Sequence, residues 1–391
     1  MSSLIVEIVK IKEIVNHPNP KVERLELVRF ENKDGILGWQ VVVRKGEYKV
    51  GDLAIYTPID SLLPEKLETY LFPLDSKIKL NKSRVRSIKI QQALSQGMII
   101  PFNDEGIQKL YPTLSKKKFG ENVTNLLEIT KFEPPEQHIS KGMKGRIAKK
   151  NHPLFTKYLD LEHYKKYPNV FQPEDEIYLS EKVHGSSTRM AYLPTYINKW
   201  DLWKKIIKFF GLLPKYQFIV GSRNVQFTDR KENKNKIFYD KNIYQLIADK
   251  LNIKNKLKPN EQLFGEIVGY NVQSHYTYGC KQDEKEYDFY AYDVKIDGKW
   301  LNTEDFFTWC KEREIQKVPF IYKGKLKDID LYKTSQGPSL ILDSNGKTTQ
   351  PEREGIVIRS YREEFAPQIG RKILKFVSDK FLLDDTNTDL H

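Results

Sequence analysis

The sequence predicts an α+β protein of two domains, a small β-barrel followed by a larger domain of strands with flanking helices. Three observations lead there. The chain has 391 residues, 39% of them hydrophobic, enough for two ordinary buried cores. Short β-favouring runs separated by polar turns fill roughly the first third. A strand–turn–strand pattern from Tyr178 to Tyr192 then opens a series of glycine-flanked strands. The implied division is a barrel over 1–130, a linker over 131–152 and the larger domain over 153–391.

Taken in order, Leu4 to Lys12 is a first strand; its apolar run is too short for a signal peptide and no cleavage site follows. Leu25–Phe30 and Trp39–Arg44 alternate with β-branched character. Gly51-Asp52 forms a turn that feeds the strand toward Thr57. From Lys131 to Lys150 the chain reads as a linker, because Pro134-Pro135 discourages helix. Lys141, Lys144, Arg146, Lys149 and Lys150 make it basic, so it is either a solvated connection or a track for a phosphate backbone. Tyr158 to Tyr167 reads as a short helix stopped by Pro168. Trp200, Trp203, Ile207 and Phe210 recur at helical spacing opposite Lys204, Lys205 and Lys208, which predicts an amphipathic helix ended by Gly211.

Composition narrows the function. A net charge of +13, a pI near 9.2 and 12% aromatic residues favour a polyanionic partner, nucleic acid first. Cys280 and Cys310 are the sole cysteines, which leaves neither a disulfide framework nor a cysteine-based zinc site. The seven histidines are scattered without metal-ligand spacing. No stretch approaches the roughly 20 apolar residues that span a bilayer. These features point to a cytoplasmic protein with no membrane association and no evident protein partner.

The chemistry centres on Glu181-Lys-Val-His-Gly-Ser-Ser187, where a lysine leaves a strand into a glycine-containing turn. Gly185 has no side chain to obstruct a phosphorus atom approaching Lys182. Five blocks follow in order: Ser222-Arg223-Asn224 at a strand end; Glu266 between Gly265 and Gly269; Asp288-Phe-Tyr-Ala-Tyr-Asp-Val294; Arg353-Glu354-Gly355; and Arg371 to Phe381, containing Lys375. Together they resemble the motifs of the covalent nucleotidyltransferases, and the first is most similar to the RNA ligase branch. His17-Pro-Asn-Pro20, Arg24-Leu-Glu26, Lys45-Gly46 and Val50-Gly-Asp52 resemble the OB-type domain of tRNA-binding proteins. An OB domain ahead of the catalytic domain marks one ATP-dependent RNA ligase branch, whereas DNA ligases and capping enzymes carry theirs behind.

The resemblance implies an OB-like barrel followed by a ligase-type nucleotidyltransferase domain of antiparallel sheets with flanking helices. It implies Lys182 as nucleophile toward the α-phosphorus of ATP, with Lys375 facing the α-phosphate. Glu181, Gly185, Arg223, Glu266, Phe289 and Glu354 would line the nucleotide site, Phe289 stacking on adenine with Tyr290 as second choice. Glu354 and Glu266 would hold Mg2+ or Mn2+ through bound water. A free lysine, with a pKa of about 10.4, needs nearby positive charge to become neutral and nucleophilic. AMP would then pass to an RNA 5′ phosphate and be displaced by a 3′ hydroxyl, sealing a nicked duplex or broken ends in RNA repair. Arg44, Lys45, Arg84, Arg86 and Lys89 would form the basic groove of the barrel. There are departures: His184 stands where many members have Asp, Ser187 replaces an Asn, and Val377 takes the place of a second lysine, which Lys372 or Lys380 would have to replace. Two other readings stand: DNA joining or GTP-dependent capping, and a nucleic-acid-binding protein with an inactive transferase domain.

Overall fold

The computed structural model describes residues 4–383 apart from 34, 74, 77–78, 133–151, 198–205, 207–208, 228–241 and 274. The described residues pack as two units. One takes those within 1–136, 162–171 and 379–391; the other takes those within 137–161 and 172–378. The first unit therefore includes two stretches that the sequence assigns to the larger domain. Lys165 accounts for both. Its stem lies against Gly38, its ammonium pairs with Asp379 at 3.1 Å, and it sits 5.8 Å from the Trp39 ring.

The first unit is built on β1 (Glu7–Asn16), β2 (Leu25–Asn32), β3 (Gly35–Arg44), β4 (Leu53–Thr57) and β5 (Met98–Pro101). They form an antiparallel sheet in the order β3-β2-β1-β4-β5. Alternation sends successive side chains to opposite faces, and here both faces are covered. Ile8 and Ile55 join Leu67 and Leu114 in one core, while Val9 and Ile11 join Val28, Phe30 and Trp39 in another. The expected turn is present: Gly51 has φ +97°, and the Lys49 N–H donates to Asp52 Oδ2 at 2.7 Å. A hairpin of Ser87–Ile90 and Ala93–Gln96 closes against β3. There Gln40 Nε2 donates to the Leu94 carbonyl at 3.0 Å and the Val42 N–H donates to Ser95 Oγ at 3.1 Å.

The second unit has two antiparallel sheets. One holds β6 (Glu176–Lys182), β11 (Phe320–Lys325), β12 (Gly355–Ser360) and β13 (Ile373–Val377), side by side in the order β13-β12-β6-β11. The other centres on β7 (Ser186–Pro194), β8 (Tyr216–Ser222), β9 (Glu261–Gly269) and β10 (Tyr287–Ile296), in the order β8-β7-β9-β10. Helices α1 (Ile243–Lys250) and α2 (Thr303–Glu312) cover one face of this second sheet. Ile243, Tyr244, Ile247, Phe306 and Trp309 pack there on Met190, Leu263 and Phe289.

One expected helix is absent. Residues 158–168 instead include an extended Glu162–His163 and a 3-10 turn at Tyr164–Lys166, with another at Pro168–Val170. Tertiary contacts override the helical pattern: the Tyr158 hydroxyl donates to Asp293 at 2.9 Å, and His163 Nδ1 accepts the Lys165 N–H at 3.1 Å. The expected amphipathic helix from Trp200 lies largely outside the described residues, although Phe210 is exposed. The basic run from Lys141 to Lys150 lies wholly outside them. No helix among the described residues is long and apolar enough to cross a membrane.

Candidate active site

β6 is a central strand of its sheet, with Ile177 and Leu179 buried beneath it, and Lys182 is its last residue. The next residues, Val183 to Gly185, carry the chain from one sheet of the second unit to the other, where β7 begins. A side chain at the end of β6 is therefore delivered to the junction of two sheets. Register places its neighbours. Lys182 pairs with Gly355, which pairs with Val377; Ser180 pairs with Val357, which pairs with Lys375. Lys375 thus shares the face of Lys182 one row away, and Val377 stands in line with it.

Opposed carboxylates complete the junction. Lys182 Nζ forms an ion pair with Glu354 Oε1, and His184 Nδ1 lies 3.4 Å from Glu354 Oε2. Burial alone would raise the pKa of Glu354, but Lys182 and His184 overcome it and hold the carboxyl at about 2. Glu266 on β9 behaves in the opposite way. Burial, joined by the negative Glu354, pushes it up to about 8 against the pull of Lys182 and Arg223. Two carboxylates crowd one site, and only one takes the ammonium.

That arrangement bears on a metal. Among the described residues no group of three or more His, Cys, Asp or Glu side chains could hold one, so there is no all-protein cage. An oxygen pair in which burial first, and the charge of Glu354 second, raise the pKa of Glu266 suits a hard cation that keeps most of its water, as magnesium does. The residues fit the expected Mg2+ or Mn2+.

The turn is braced from a distance. The His184 N–H donates to the Tyr278 hydroxyl at 2.8 Å, and Gln273 Nε2 donates to the Gly185 carbonyl at 3.1 Å. Gly185 itself lies against the Ile267 carbonyl and the Glu266 stem, where a Cβ would collide. Its missing side chain makes room for β9, a closer constraint than the approach of a phosphorus atom.

Other expected residues fall as follows. Arg223 ion-pairs with the exposed Asp160 and contributes positive charge at Glu266. Glu181 is 1% exposed, and its carboxylate accepts Ser339 Oγ at 2.6 Å and the Leu340 N–H at 2.7 Å, so it ties a loop instead of presenting an oxygen to a nucleotide. Phe289 is 1% exposed within the helix-covered core, packed against Gly265, and so has no open face for a base. Tyr290, opposite Glu266, bonds its own neighbour Asp288 at 3.2 Å. The aromatic that sequence reasoning missed is Tyr292, whose hydroxyl meets Ser187 Oγ at 2.7 Å next to Glu266. Alternation along Asp288–Val294 separates Tyr290 and Tyr292 from Phe289, and only the pairing of Glu266 with Tyr290 shows which face meets the site. Lys372 does not stand in for Val377: its ammonium binds Asp175 at 2.7 Å and Glu364 at 3.1 Å.

In the first unit, Arg44 and Lys45 are exposed beside the turn at Gly46. Arg84 is held internally by Asp60 at 3.0 Å and lies 3.9 Å over the Phe132 ring. Lys89 donates to the Leu383 carbonyl at 2.9 Å, and Arg86 is half-buried. These contacts reduce the expected groove to fewer available cations.

The RNA ligase family profile matches residues 175–377, and an OB-fold domain profile matches residues 6–102. Among solved structures, a Naegleria gruberi RNA ligase with PPi aligns at a TM-score of 0.62 and 23% identity, over 97% of this chain and 98% of that one. A point mutant of that ligase with ATP and Mn aligns at 0.60 and 23% identity, over 97% and 98%. Another, with AMP and Mn, aligns at 0.61 and 23% identity, again over 97% and 98%. At these identities the likeness establishes the fold. No curated protein matches the chain.

Proposed function

The chain belongs to the RNA ligase family, and from that premise we propose that it joins RNA 3′-hydroxyl and 5′-phosphate ends by an ATP-dependent, lysyl–AMP route. The observation that carries this reading is Lys182 at the sheet junction, paired with Glu354 and facing Glu266. Neighbours of the same fold hold ATP, AMP, PPi and Mn, which supports ATP and a divalent cation here.

Lys182 starts in an ion pair with Glu354, so the amine must first lose a proton. A carboxyl with a pKa of about 2 is a poor base, so the proton leaves to solvent. The Lys182 lone pair then forms the N–P bond, the bond from the α-phosphorus to the bridging oxygen breaks, and pyrophosphate takes the electron pair. The nitrogen sheds its surplus proton. In the second step an RNA 5′-phosphate oxygen attacks the same phosphorus, and Lys182 regains a proton as the N–P bond breaks. In the third step the 3′ hydroxyl oxygen attacks the RNA phosphorus, its proton passes to solvent, and AMP leaves with the electron pair of the broken P–O bond. Glu354 and Glu266 would hold a divalent cation, which would supply charge neutralisation at the phosphates when bound. Lys375 steadies the α-phosphate, Arg223 the phosphate of the RNA end, and Tyr292 offers a ring to the base.

We assign the OB unit, with Arg44 and Lys45, to holding RNA near a nick or break, which accords with the net charge of +13. A cytoplasmic setting accords with two free thiols. The test is incubation with α-labelled ATP and magnesium or manganese, followed by a denaturing gel. Label is expected on the wild type and not on Lys182→Ala. Label from GTP alone would favour capping chemistry, and RNA binding without any label would favour an inactive transferase domain.

A further inference from the structure

The brace on the nucleophile turn carries an inference beyond the residues that touch ATP. Tyr278 lies 96 positions beyond Lys182, in the loop that follows the Glu266 strand. It is 4% exposed and has φ +51°, a left-handed conformation uncommon for a bulky side chain. Such a conformation persists where the surroundings fix it, and here it directs the phenol inward to accept the His184 N–H at 2.8 Å. His184 is buried, so without the phenol its N–H would lose its acceptor away from water. The same loop reaches the next residue through Gln273, and the Tyr276 ring meets the His184 ring edge-on at 5.1 Å. Tyr276 also donates to the Glu352 carbonyl at 3.2 Å, two residues before Glu354. One loop therefore contacts the turn after the nucleophile and the segment leading to its carboxylate partner.

We propose that Tyr278 is a positioning residue for lysine adenylation: its hydroxyl fixes the turn from Lys182 to Gly185, and so the direction from which Lys182 meets the α-phosphorus. This rests on the lysyl–AMP reading above. Only the first step uses Lys182 as an attacking group, so the effect falls on that step. Misplacing a reacting atom by a fraction of its approach distance is costly.

Tyr278→Phe removes the acceptor and little else. Single-turnover formation of lysyl–AMP at saturating ATP should slow by about tenfold, with the ATP concentration for half-maximal rate unchanged. Sealing of RNA supplied already adenylated at its 5′ end should stay within about twofold of wild type. That second assay also reports folding, because a misfolded variant would lose it. Equal labelling of variant and wild type would overturn the inference, and so would a parallel loss of both steps with a lower melting temperature. A wild type that takes no label would overturn the lysyl–AMP reading, and this inference with it.

Discussion

Two buried charge clusters lie in the second unit, and they are built on opposite terms. Around Asp293, which is fully buried, Arg359 lies at 3.3 Å and Arg371 at 2.7 Å, and Arg371 also pairs with Glu363. Tyr158 donates to Asp293, and the Arg371 guanidinium lies 4.0 Å from the Trp300 ring. Two acids meet two bases. Burial alone would raise the pKa of Asp293, yet the arginines hold it below the ordinary carboxylate value. At the junction, Glu354 and Glu266 compete for Lys182, and one carboxyl is depressed while the other is raised. A matched cluster is complete and holds strands in place. A cluster whose two carboxyls are pushed in opposite directions is where chemistry is to be sought.

Breaking the matched cluster should have the largest effect on folding. Asp293→Ala leaves two buried guanidinium groups without their shared partner and should lower unfolding free energy by about 3–5 kcal/mol in a denaturant titration. Lys182→Ala, by contrast, should abolish labelling and cost less stability than Asp293→Ala, because His184 remains beside Glu354. If Asp293→Ala unfolded like the wild type, the distinction between the clusters would fall.

The aromatic residues sharpen the same contrast. Phe289→Leu should cost about 1–2 kcal/mol of stability and leave the ATP requirement unaltered, since the ring is core. Tyr292→Leu should raise the ATP needed for half-maximal labelling by about tenfold. The reverse pattern would return the nucleotide to the Phe289 face.

The unmatched cluster also predicts a pH dependence. Glu266 binds its proton more tightly in the folded protein, so its contribution is intact below the ordinary glutamate pKa and is lost as pH rises through about 8. Metal-free wild type should therefore lose about 3 kcal/mol between about pH 5 and pH 8 relative to Glu266→Gln, and added Mn2+ should recover it. Glu354 has the opposite sign: its contribution is present above the ordinary value and is lost as pH falls toward about 2. A pH-independent difference between wild type and Glu266→Gln would remove the charge argument.

The smallest effects belong to the first unit. Arg44→Ala or Lys45→Ala should each lower the salt slope of RNA binding by about 0.7, the single-strand value per phosphate contact. Arg84→Ala should lower stability instead, because that guanidinium is already occupied by Asp60 and Phe132. A larger salt effect at Arg84 would restore the wider groove.

Much of this could be read from residue order. Alternating β-branched runs located the barrel strands, and the Gly51 turn followed from its residues, because both are local properties. The series Lys182, Arg223, Glu266, Glu354, Lys375 pointed to the RNA ligase family, whose profile matches residues 175–377, because a reaction demands particular side chains wherever the backbone goes. Three things depended on tertiary structure. A period of two cannot say which face of β10 meets helices and which meets Glu266, so only packing shows Phe289 in the helix-covered core and Tyr292 beside Ser187. A buried carboxylate shows its partner only when distant chain arrives, so Glu181 reached the Ser339 loop. The helical pattern before Pro168 gave way because Tyr158 and Lys165 found stronger partners in Asp293 and Asp379. Sequence determined which functional groups the chain possesses. Packing decided which of them face the same space, since burial, partners and pKa values arise only between segments that the chain itself keeps apart.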